Sequence, residues 1–66
     1  MTDELRTKFT DLINLLDTTQ NEYFTEYLNL TIAKDDDNAS VAKETSDLYE
    51  NVRQEVINQL DLVKSI

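Results

Sequence analysis

Glycine, proline, cysteine, histidine and tryptophan are all missing from this chain of 66 residues. Without Gly or Pro, the tight turns and bulges of an all-β fold lack the residues that usually build them. Without Cys or His there is no thiol nucleophile, disulfide, Cys/His zinc site or imidazole base. Positive charge is scarce as well: 6 Lys and Arg stand against 14 Asp and Glu, a formal net charge of −8. Bare nucleic acid and anionic bilayers would repel such a chain, so no direct nucleic-acid or membrane binding is expected. Long apolar runs are absent too; none approaches the roughly 20 residues that span a bilayer. The start, Met1-Thr2-Asp3-Glu4, does not read as a basic signal sequence, and a cytoplasmic location is expected.

What remains is 39% hydrophobic and 30% charged, too apolar for the disordered class and long enough for one small domain, residues 1–66. Leu5, Phe9, Leu12, Leu16, Tyr23, Tyr27 and Leu30 recur at steps of 3, 4 or 7, the repeat of one helix face. Thr2 before Asp3 and Glu4 suits a helix start, because a hydroxyl caps free amides and acids favour the positive dipole end. A second stripe runs through Val41, Thr45, Leu48, Tyr49, Val52, Val56, Gln59, Val63 and Ile66. Between the stripes, Lys34 followed by Asp35-Asp36-Asp37-Asn38 ends the apolar pattern, and these short Asp and Asn residues read as a four-residue turn, with Asp37, Asn38 or Ser40 as candidate caps.

The pattern predicts an all-α chain, an antiparallel hairpin of two long helices over about residues 3–34 and 39–65. Leu12 should face Leu60, Leu16 should meet Val56, Tyr23 should sit near Tyr49 and Val52, and Tyr27 should meet Leu48. Thr19 and Glu22 have the spacing of a capping box, so a break near 17–21 would give three helices instead. The stripe keeps its phase across that segment, which favours one continuous helix.

A two-helix hairpin needs an apolar arc of only about 100° on each helix. Phe24, Leu28 and Ile32 add a second row to the first helix, and Ile57 and Leu60 widen the second. These residues are candidates for a seam with a protein partner, either a homodimer or a foreign helical surface, since hairpins lacking disulfides or metals are marginal alone. The expected function is a non-catalytic protein interaction module: an adaptor, co-chaperone or inhibitor. The alternative is an acidic decoy that imitates nucleic acid and occupies a basic cleft through Asp11, Glu22, Glu26, Asp35, Asp36 and Asp37. From Phe9 to Ala33 there is no basic residue at all, although solubility alone accounts for such a face.

Neither metal nor cofactor is expected. The Asp35–Asp37 run has the oxygens a calcium loop wants, but no glycine for the sharp turn and no closing glutamate. Solvent-facing carboxylates without a pocket support no catalysis. Two glycosylation sequons, Asn29-Leu30-Thr31 and Asn38-Ala39-Ser40, read as chance matches in a chain without a secretory signal.

Overall fold

The computed structural model describes residues 2–64, and the side chains of 2–63. Two helices account for nearly all of it: α1, Asp3–Ile32, and α2, Asp36–Lys64, packed side by side as a hairpin with Cα extents of 49 × 16 × 10 Å. Among the described residues there is no strand. The proposed stripe position Ile66 and the predicted helix end at 65 lie outside the described residues.

Helix α1 starts as its sequence predicts. The Thr2 Oγ1 accepts a hydrogen bond from the Leu5 backbone N–H at 3.2 Å, and Asp3 and Glu4 fill the first turn. No break occurs at 17–21, and the Thr19–Glu22 spacing acts as no cap. Thr19 and Gln20 are half-buried in mid-helix.

The turn is tighter than the sequence suggests. Helix α1 ends at Ile32 rather than 34, and α2 begins at Asp36 rather than 39. The Lys34 N–H donates to the Thr31 carbonyl at 3.1 Å and the Asp35 N–H to the Leu30 carbonyl at 2.9 Å, the paired bonds of a Schellman motif. Lys34 carries the left-handed residue at φ 61°, a role that usually falls to glycine, which this chain does not contain. Asp35 then caps α2 in place of Asp37, Asn38 or Ser40: its carboxylate accepts from the Asn38 side-chain amide at 2.8 Å and its carbonyl from the Ala39 N–H at 2.9 Å. One closing motif runs directly into the next cap, which leaves Asp36 and Asp37 in the first turn of α2, at the positive end of its dipole.

The helices meet along an alternating 3–4 repeat. On α1 it reads Phe9, Ile13, Leu16, Gln20, Tyr23, Tyr27, Leu30; on α2 Ala39, Ala42, Ser46, Tyr49, Arg53, Val56, Leu60, Val63. All are buried or half-buried except Tyr23, whose ring stacks on Tyr49 at 5.6 Å as expected. This is the seam of a coiled coil, which needs apolar or small groups every 3.5 residues on average.

The contact face of α2 therefore differs from the predicted one. Val41, Leu48 and Val52 are exposed, and Ala39, Ala42 and Ser46 are buried in their place. The physical reason is proximity: Ser46 Oγ donates across the hairpin to the main-chain carbonyl of Gln20 at 3.3 Å, a reach of one carbon from its own backbone. Helices this close near a short turn admit methyl- and hydroxymethyl-sized groups, while a leucine there would force them apart. Hence Leu48, the expected partner of Tyr27, lies off the seam at 60% exposed, and Leu12 is exposed although its expected partner Leu60 is buried. Leu16 and Val56 both stay on the contact face.

Candidate interaction surfaces

Leu60 is only 7% exposed and Ile57 half-buried, which removes Leu60 from the predicted seam. At a core position of the 3–4 repeat, Leu60 closes the hairpin itself. Phe24, Leu28 and Ile32 remain in solvent, Ile32 at 80%, as one row of successive turns on α1. Phe24 rests against Tyr27 with ring centroids 5.8 Å apart, so the head of the row is anchored on the core.

A second apolar surface lies on another side of the hairpin. Glu26 of α1 and Asn38, Val41 and Thr45 of α2 line one shallow depression with Tyr23, Leu30 and Ala42. The columns at seven-residue spacing through those residues therefore share that side: Leu5–Leu12–Thr19–Glu26 on α1, with Thr45–Val52–Gln59 and Val41–Leu48–Glu55–Leu62 on α2. Phe24 sits about 200° of helix rotation from Glu26 and so belongs to a different face. Leu5, Leu12, Val41, Leu48, Val52 and Leu62 are all exposed, and Leu5 and Leu12 with Lys8 and Phe9 form an apolar groove near the open end. Sequence reasoning placed Val41, Leu48 and Val52 in the core. The uninterrupted alternation from Ala39 to Val63 was the signal that could have set them outside.

The acidic residues are scattered rather than gathered. Asp11 stands eleven residues, about 16 Å of helix, before Glu22, and farther still from the turn. Glu22 and Glu26 line an open depression with Thr18, Asn21 and Thr25. Asp35 is committed to capping α2, while Asp36 and Asp37 are exposed beside it. Among the described residues no group of His, Cys, Asp or Glu could hold a metal ion. Among the described residues the ion pairs are exposed or long: Glu4–Lys8 at 3.5 Å, Asp47–Lys43 at 2.8 Å and Asp17–Arg53 at 3.9 Å. Lys43 titrates above its ordinary value, held up by the hydrogen bond to Asp47, with burial opposing and the Asp47 charge adding.

No described helix is long and apolar enough to cross a membrane. No protein-family model, curated protein or solved structure matches this chain. What its surfaces do rests on their chemistry alone.

Proposed function

We propose that this protein is a non-catalytic interaction module, a helical hairpin that docks a partner protein along Phe24, Leu28 and Ile32. The observation that carries this reading is the row itself: three large apolar side chains on successive turns, left in solvent by a hairpin whose own seam is already filled. Spacing of i, i+4 and i+8 is how an amphipathic helix presents anchors to a complementary apolar surface. A partner carrying basic groups around such a surface would gain from the net charge of −8.

The acidic-decoy reading draws on Glu22 and Glu26, exposed and lining one depression. Salt separates the two. Surface charge contacts are screened within about 10 Å at 0.1 M salt, whereas apolar burial holds or strengthens. Tagged protein should capture its partner from a lysate of its native host at both low and high salt, and Leu28→Glu should abolish capture at both. Capture that disappears at high salt and survives Leu28→Glu would favour the decoy and overturn the docking row.

A further inference from the structure

The other apolar side carries a separate assignment. We infer that the face formed by Leu5, Leu12, Val41, Leu48 and Val52 is the seat of a second copy of this chain, which completes a four-helix bundle. The substitution of small for large along α2 is the first ground. Ala39, Ala42 and Ser46 occupy the intramolecular seam, while Val41, Leu48 and Val52 one column away are exposed. The close approach of α1 admits only the small column, so the bulkier one, whose burial is worth more than that of Ala, is left uncovered by the hairpin itself.

Area is the second ground. The chain exposes 4940 Å², against roughly 4,300 Å² for a compact 7.7 kDa monomer on the surface-to-mass relation. The surplus of about 600 Å² is most of the roughly 800 Å² that each partner buries in a standard interface. A rod of 49 × 16 Å also presents a flat of about that size on one side. Within the described residues the only buried apolar side chains are Leu16, Ala39, Ala42 and Leu60, a core that normally needs oligomerisation to hold so short a chain.

Shape selects the occupant. A single foreign helix fits a groove between two helices, but this patch crosses from one helix to the other. It spans both helices, with Leu5 and Leu12 on the open half of α1, Val41, Leu48 and Leu62 along α2, and Val52 near mid-length. A second copy related by a two-fold axis presents the same two-helix face in return, which is how helical hairpins pair into four-helix bundles. Most of the acidic residues fall outside this face; Glu26 and Glu55 lie within its columns, Glu26 beside Val41 and Glu55 between Leu48 and Leu62.

The test is sedimentation equilibrium on the purified chain at tens of micromolar, paired with engineered cross-linking that the absence of native cysteine makes clean. The wild type should sediment as a dimer, more tightly at 0.5 M than at 0.05 M salt, because screening relieves repulsion between two chains of charge −8. Leu48→Glu should shift it to monomer, whereas Leu28→Glu on the other face should leave the dimer intact. Val52→Cys, near the two-fold centre, should form an intermolecular disulfide under mild oxidation, and Asn51→Cys should not. The cross-link decides the matter even if Leu48→Glu fails to fold. A folded wild-type monomer overturns the second-copy assignment and leaves the Phe24–Leu28–Ile32 docking row standing. A dimer broken by Leu28→Glu but not by Leu48→Glu overturns the assigned face.

Discussion

Replacing Arg53 by methionine should stabilise the protein. Arg53 occupies a seam position between Tyr49 and Val56, and its Nε is buried without a hydrogen-bond partner. The nearest carboxylate oxygen, Asp17 Oδ1, stands 3.9 Å away on a side chain that is 53% exposed. A buried donor left unpaired costs about 1–3 kcal/mol, and a long, half-solvated ion pair returns about 0–1 kcal/mol. Methionine keeps the unbranched stem that packs the seam, removes the orphaned donor and adapts to the space left behind. Arg53→Met should therefore raise unfolding free energy by about 1 kcal/mol, a midpoint increase of roughly 4–8 °C for a domain of this size. Thermal and urea melts followed by far-UV circular dichroism measure this, at equal chain concentration because association would couple to folding. Asp17→Asn alone should change little, and the double variant should match Arg53→Met, since a pair this loose carries little coupling. A loss of more than about 1 kcal/mol in Arg53→Met, with strong coupling to Asp17, would refute the reasoning and show that the pair holds the register of the hairpin.

Two further outcomes follow from the turn and from α2. Lys34→Gly should stabilise by on the order of 0.5–1 kcal/mol: it relieves a left-handed residue worth about 1–2 kcal/mol and loses part of that to the freer unfolded chain. A lowered urea midpoint would count against the Schellman geometry at Lys34. Because the Lys43 pKa is raised in the folded state, the contribution of its bond to Asp47 is present below the ordinary lysine value of 10.5 and is lost as pH climbs through the raised one. An NMR titration of the Lys43 ε-methylene should show this midpoint fall in Asp47→Asn, and an unmoved midpoint would exclude Asp47 as the cause.

The helices were legible in the sequence because their signals are local. Thr2, Asp3 and Glu4 act within one turn of the chain, and the phase of α1 carries through Thr18 and Thr19 whatever packs on it. The ends of the turn were less legible, since reading residue types for turn tolerance points to Asp36 and Asn38, whereas the backbone reverses at Lys34, whose type carries no such mark. The second row on α1 needed only α1's own phase, and Phe24, Leu28 and Ile32 are exposed on the hairpin. The face of α2 is a different problem. Ranking positions by hydrophobicity selects Val41, Leu48 and Val52, but the face that meets α1 near a short turn is chosen by size, and Ala39, Ala42 and Ser46 score as weakly apolar or polar. Tyr49, Val56 and Val63 belong to both the predicted stripe and the observed one, so the error was a partial rotation rather than a wrong periodicity. A helix with two apolar columns side by side, one small and one large, offers two contact faces suited to different distances. The close neighbour is α1, which the small column admits. The large column fits a contact at the wider spacing of a four-helix bundle, so a reading confined to one chain assigns to its core residues that a second copy would cover.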